Sequence, residues 1–175
     1  MTEAVLASDE GLGARQPVAT MPRAEHLEPF LTGAREVLET DPGGTVERGA
    51  LRLEAGSHTT QDVTAIVAIT GALTGLAVYG MSRATALALV GQLMGEPVAE
   101  LDDVALSGIG ELGNVITGRA ATLLAKQGIV AEITPPVLLV GVGSRVSTAG
   151  IRRLVVPLVA SVGTLEAQLA IKGQG

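Results

Sequence analysis

The chain has no cysteine and no tryptophan, and only one phenylalanine and one tyrosine. Lacking cysteine, it can form no disulfide, no thiolate metal site and no cysteine nucleophile. With aromatic residues at 1%, the core has to be built from Ala, Val, Leu and Ile, and a hydrophobic content of 47% is enough to build one. Positive charge is also scarce. The formal net charge is −6, which leaves no electrostatic footprint for nucleic acid or anionic lipid. The opening residues, MTEAVLASDEG, are acidic where a secretory signal needs a basic and then an apolar region. A cytoplasmic protein is expected. His26 and His58 have no partners at ligand spacing, so both are expected at the surface. No Walker loop, G-x-S-x-G elbow or zincin helix occurs.

Val63 to Ser82 carries no charged residue. Such a run is about long enough to cross a bilayer, and Gly71 and Gly75 stand at GxxxG spacing. Its β-branched alternation argues instead for a β-hairpin buried on both faces. The expected break is Gly71-Ala-Leu-Thr-Gly75, with the second strand resuming over Leu76 to Gly80.

Residues 1 to 23 show no sustained periodicity and are expected to form a flexible tail, leaving 24–175 as one domain. Glu25 to Thr40 is amphipathic, with Leu27, Phe30, Leu31, Ala34, Val37 and Leu38 at helical spacing. Pro29 suits a first turn, which puts the start of the helix proper near Glu28. Asp41-Pro-Gly-Gly ends it. Val46 to Ala55 reads as an edge strand or irregular arm. Ser82 is a candidate N-cap for Arg83 to Met94, which shows Leu87, Val90 and Leu93 on one side and stops at Gly95. Short β-rich runs follow at Ile129–Thr134, Val137–Val142, Ile151–Ala160 and Thr164–Lys172. Strands joined by short turns predict a mainly antiparallel sheet with long helices packed on one face, an α+β fold.

Between these groups lies the longest helical pattern, Leu101 to Gly128. Taking Ser107 as the zero direction, Glu111, Asn114 and Gly118 fall within about 40° of it, at about 100° per residue. Ala105, Ile109, Leu112, Ile116, Ala120 and Leu123 fall within about 40° of the opposite direction, an apolar stripe that can seat on a core. Asp102 and Asp103 suit the first turn, Lys126 the last, and Gly128 a left-handed terminal residue. The polar face is unusual. Asn114 is the only asparagine in the chain, and it sits mid-helix, where asparagine is a poor helix former. Glycines 108, 110, 113 and 118 each cost roughly 1 kcal/mol relative to alanine. Gly108-Ile-Gly-Glu-Leu-Gly113 spells a dinucleotide fingerprint, but no buried strand precedes it and no βαβ unit contains it.

In this setting the residues resemble the signature of the CheC/CheX/FliY phosphatases of bacterial chemotaxis: Asp or Ser, three residues, Glu, two residues, Asn, and a proline about 22 residues further on. Ser107-Gly-Ile-Gly-Glu111-Leu-Gly-Asn114 matches the helical part. Leu93-Met-Gly-Glu-Pro, Leu101-Asp-Asp and Asn114-Val-Ile-Thr-Gly118 are also similar to the family. Twenty-one residues separate Asn114 from Pro136, which implies a one-residue deletion in the turn after the helix. A single asparagine rules out a second copy of the motif and points to the one-site CheX branch. The resemblance covers residues 24 to 172.

It implies a CheX-like domain that hydrolyses the aspartyl phosphate of a CheY-like response regulator, in chemotaxis or related two-component signalling. Asn114 would position the attacking water, and Glu111 would dock to the regulator's lysine. Ser107, Gly110 and Gly118 would be partner contacts. No cofactor is expected on this chain, because Mg²⁺ would come with the regulator. A homodimer is expected, with neither nucleic acid nor membrane as partner. Two other readings are a CheX-like adaptor that binds without hydrolysing and a dimerisation module of a flagellar-switch complex.

Overall fold

The structure, a computed structural model, describes residues 23–39, 44–148 and 150–173. The expected tail, apart from Arg23, and the Asp41-Pro-Gly stop lie outside the described residues. Helix α1 (Ala24–Leu38) comes first, followed by three short strands: β1 (Glu47–Arg48), β2 (Arg52–Glu54) and β3 (His58–Thr59). The hairpin β4 (Val63–Gly71) and β5 (Leu73–Met81) leads into α2 (Arg83–Met94) and α3 (Asp103–Lys126). The chain then returns as β6 (Ala131–Ile133), β7 (Val137–Val140), β8 (Arg145–Val146), β9 (Arg153–Ala160) and β10 (Gly163–Gly173).

All pairings are antiparallel. β9, β10, β5 and β4 form the centre, β1 and β2 share the free edge of β9, and β6 and β7 share the free edge of β4. β3 and β8 make a separate two-stranded arm. Alternation along the strands sends Ala65, Val67, Tyr79, Val156, Leu158, Ala167 and Leu169 to one face, where they are buried with the inner sides of the helices. The α+β layout with helices on one sheet face is the one the strand and helix order predicts. No helix among the described residues is long and apolar enough to cross a membrane.

Several local expectations need correction. α1 starts at Ala24, so Pro29 falls inside the helix rather than in its first turn. The upstream turn holds because His26 and Leu27 are buried, and the His26 ring lies over Gly173 at the end of β10. His26 is therefore not a surface residue, and His58 is half-buried. The hairpin turn is shorter than Gly71–Gly75. β5 begins at Leu73, and Gly75 pairs with Ile69 on one side and Ile171 on the other. Gly75 has φ +150°, and a Cβ there would collide with the Ala170 carbonyl, so the glycine answers a close strand approach rather than a turn. In α2 the buried residues are Thr85, Ala86, Leu89 and Val90, while Leu93 is 54% exposed. Val90 packs on the inner face, its Cγ1 3.2 Å from where a Gly108 Cβ would stand, and Leu93 reaches that point only with its Cδ2, at 3.9 Å. In α3, Leu124 and not Leu123 is fully buried, together with Gly113 and Thr117.

The caps follow the expected chemistry. The Ser82 hydroxyl accepts the Thr85 N–H at 3.1 Å, and Gly95 closes α2 in the left-handed region. Asp102 lies just outside α3 as its N-cap and accepts the Ala105 N–H at 2.8 Å. Gly128 follows α3 at φ +80°. Proline explains the broken edge at β1 and β2. The Pro157 carbonyl accepts the Gly49 N–H at 2.8 Å. A strand residue points its N–H and C=O to the same side, so the N–H that Pro157 lacks would also have faced this edge.

Candidate functional site

α3 is held between α1 and the β4–β6–β7 side of the sheet. At its crossing with α1, a Cβ on Gly33 would come within 2.6 Å of the Ile116 carbonyl oxygen, so only glycine permits this approach. On the sheet side, a Cβ on Gly113 would lie 3.4 Å from Ala65 Cβ and 3.9 Å from both Tyr79 and Pro136. Below that point the Thr117 hydroxyl donates to the Gly113 carbonyl at 2.8 Å, and the Tyr79 hydroxyl lies 3.0 Å from Thr117 Oγ1. Burial pushes the Tyr79 phenol far above its usual pKa, so it remains a neutral hydrogen-bonding group.

The opposite side of α3 faces outward. Ser107 and Glu111 are exposed, and Asn114 and Gly118 are half-buried. Glu111 and Asn114 border an open hollow of about 370 Å³ whose other walls are Gly110, Ile133, Thr134, Pro135 and Pro136. Ser107 stands one turn away, outside that lining. Among the described residues, neither the Glu111 carboxylate nor the Asn114 carboxamide has a side-chain hydrogen bond or ion pair. Their donor and acceptor groups are available to a partner.

The prolines reach the helix through a shift of register. β6 pairs Ile69 with Ile133, whereas β7 pairs Ile66 with Val137. Two residues of β4 therefore face three of the returning chain, Thr134, Pro135 and Pro136, which is a β-bulge. The Thr134 N–H donates to the Ala68 carbonyl at 3.0 Å, and its hydroxyl accepts the Ala68 N–H at 3.1 Å, so one residue satisfies both β4 groups. The prolines that follow are free of ladder duty, and Pro136 packs on α3 beside Gly110 and Gly113. The shortened interval after Asn114 does not keep Pro136 from the helix. Gly110 and Gly118, expected as partner contacts, also have neighbours in the chain: an added Cβ would lie 3.7 Å from Pro136 and 3.8 Å from Ile133, respectively.

A second hollow lies across α3. It is bounded by α1, α2 and α3, and Glu111 borders it as well. Spacing alone does not reveal it, because Leu93 reads there as a core residue. At its rim Arg119 donates to both Glu36 oxygens, at 2.6 and 3.0 Å. That hydrogen bonding lowers the Glu36 pKa and raises that of Arg119. Among the described residues, no group of three or more His, Cys, Asp or Glu side chains could hold a metal ion.

Comparison with known proteins places this geometry. Residues 63–158 match the family described as chemotaxis phosphatase CheX, a span that includes α2, α3 and the proline bulge. The CheY-P phosphatase CheX of Thermotoga maritima is 34% identical over 111 residues, covering 63% of this chain and 72% of that protein. The CheX-CheY-BeF3-Mg+2 complex structure from Borrelia burgdorferi contains a chain with a TM-score of 0.65 and 28% identity, covering 86% of this chain and 99% of that one. A CheC-like superfamily protein from Shewanella sp. PV-4 shares the fold with a TM-score of 0.77 at 21% identity, covering 87% of this chain and all of that one (100%). By the family match over more than half its length, and by the Thermotoga maritima relative, the chain belongs to the CheX family of chemotaxis phosphatases.

Proposed function

We propose that this chain hydrolyses the aspartyl phosphate of a CheY-type response regulator, and that α3 performs the reaction by entering the regulator's phosphorylation site. The observation that carries the proposal is the placement of Glu111 and Asn114. They lie one turn apart on the outward face of a firmly seated helix, unpaired within the described residues and beside a proline wall. A phosphoaspartate is an activated acyl phosphate. Its hydrolysis needs water held in line with phosphorus and little covalent assistance. The water oxygen bonds to phosphorus, the bond from phosphorus to the aspartyl oxygen breaks, and the products are a free carboxylate and inorganic phosphate.

Asn114 has the functional groups for holding that water. Its carboxamide donates through nitrogen and accepts through oxygen, and it does not ionise, so it orients the water without capturing a proton. Glu111 carries the docking charge and pairs with the lysine beside the regulator's phosphorylated aspartate. Ser107, one turn further from the reaction, adds a peripheral polar contact, and Gly110 and Gly118 leave room for the partner backbone. One carboxylate and one carboxamide are too few to hold Mg²⁺ on this chain, so residues of the regulator would hold the ion, and it would supply charge neutralisation at the phosphoryl group. The test is phosphate release from a phosphorylated CheY-type regulator with the wild-type chain and with Asn114→Ala. Acceleration by the first and not the second is expected. An adaptor would bind the regulator and accelerate nothing.

A further inference from the structure

The hollow between the three helices has no role in the chemistry above. Gly33 and Val37 of α1, Leu89 and Leu93 of α2, and Leu112 and Val115 of α3 enclose about 450 Å³. The walls are mainly aliphatic. The rim charges Glu36 and Arg119 neutralise each other through two hydrogen bonds, and the other polar residues of the lining, Gln92 and Glu111, bring no cation to attract a phosphate. Leu93 is 54% exposed and Val115 46%, so both hold apolar surface in water beside a formed groove. The groove is continuous with the proposed reaction face, because Glu111 borders both hollows. Val115 is displaced about 40° around the helix from Glu111. A protein that brings its phosphorylation site onto Glu111 and Asn114 therefore covers Val115 and the mouth of the groove. A second copy of this chain seated there would cover Glu111 and obstruct the site.

We propose that the three-helix groove is the docking subsite for the response regulator. It receives aliphatic side chains that the regulator carries next to its phosphorylated aspartate. The groove selects the regulator through binding and leaves the chemical step to Asn114. This inference rests on the proposed phosphatase function.

The test uses CheY-type receiver domains from the organism that encodes this chain, phosphorylated with acetyl phosphate in Mg²⁺ and followed by phosphate release. Leu93→Ser and Val115→Ser alter exposed positions, and circular dichroism checks that each variant folds. Val142→Ser serves as control, since Val142 is 70% exposed and away from both hollows. Each groove variant should raise KM about fivefold to tenfold, as expected when a half-exposed aliphatic side chain loses its buried contact, with kcat unchanged. The control should match wild type. An unchanged KM overturns the inference while the phosphatase reading stands. So does a fall in kcat at constant KM, or a wild-type dimer that the groove substitutions dissociate. If the wild-type chain releases phosphate from none of the receivers, the phosphatase reading itself fails and the inference falls with it.

Discussion

The Tyr79 hydroxyl lies 3.0 Å from Thr117 Oγ1, and both groups are fully buried beneath α3. The single Thr117 proton goes to the Gly113 carbonyl, so Tyr79 is the donor of this pair. The chain of bonds ties β5 to the peptide just before Asn114 and fixes how that turn of α3 is presented. Tyr79→Phe removes the donor cleanly and should lower stability by about 1 kcal/mol. Thr117→Val strands the buried tyrosine hydroxyl and should cost about 1–3 kcal/mol. In the double variant the two losses should be less than additive, since one interaction is counted in both single variants. Urea unfolding of the four proteins measures this, and strict additivity would deny the coupling.

The glycines of the helix pair separate by their surroundings. Gly33→Ala places a Cβ 2.6 Å from the Ile116 carbonyl oxygen and forces α1 from α3, at a cost of about 1–3 kcal/mol. Gly118→Ala meets nothing closer than 3.8 Å and should stabilise α3 by roughly 0.5–1 kcal/mol. A thermal melt distinguishes the two directions. If Gly118→Ala melts higher yet loses phosphatase activity, the glycine serves the partner rather than the fold.

On the sheet face away from the helices, His58 lies among Arg153, Glu54 and Glu166. Burial lowers its pKa, Arg153 lowers it further, and the two carboxylates act in the opposite sense. The folded chain therefore keeps His58 neutral where the unfolded chain has begun to bind a proton. The His58 contribution to stability is complete above the ordinary histidine pKa, about 6.5, and is lost as pH falls from there toward the folded-state value. Urea midpoints should decline as pH is lowered from about 7.5 to 5.5, a window spanning that value, and His58→Gln should flatten the decline. An identical slope in the variant would assign the effect to other groups.

Much of the site was legible in sequence, and the reason is local. The spacing of Ser107, Glu111 and Asn114 against Ala105, Ile109, Leu112 and Ile116 defines two sides of one helix without reference to the rest of the chain. Ser82, Gly95, Asp102 and Gly128 act within a few residues of the helix ends they close. What was not legible depends on distant partners. Leu93 has the right period for a core position, yet it is 54% exposed, because it stands at the open edge where α2 meets α3 and only its tip reaches toward Gly108. Burial of His26 depends on Gly173, far along the chain. The β3–β8 arm consists of two pairs of residues too short to show alternation. The bulge at Thr134–Pro136 appears only when β6 and β7 are both registered on β4.

Glu111 tests docking separately from chemistry. Its carboxylate is exposed and unpaired within the described residues, so Glu111→Ala should leave folding intact. Loss of a charge pair that is desolvated in the complex should weaken binding to a beryllofluoride-activated regulator by about thirtyfold or more, about 2 kcal/mol. The residual binding should also depend less on salt, since a screened attraction has gone. Titration calorimetry at two ionic strengths measures both effects, and unchanged affinity would remove Glu111 from the interface.

The most direct measurement concerns Asn114. Phosphate release from a phosphorylated CheY-type regulator is followed with the wild-type chain, with Asn114→Ala, and with no added chain, at saturating protein. The expected result is acceleration by wild type, a fall in kcat of about a hundredfold or more in the variant, and retained binding of the variant to the beryllofluoride-activated regulator. An Asn114→Ala protein that binds and hydrolyses as fast as wild type would contradict the account.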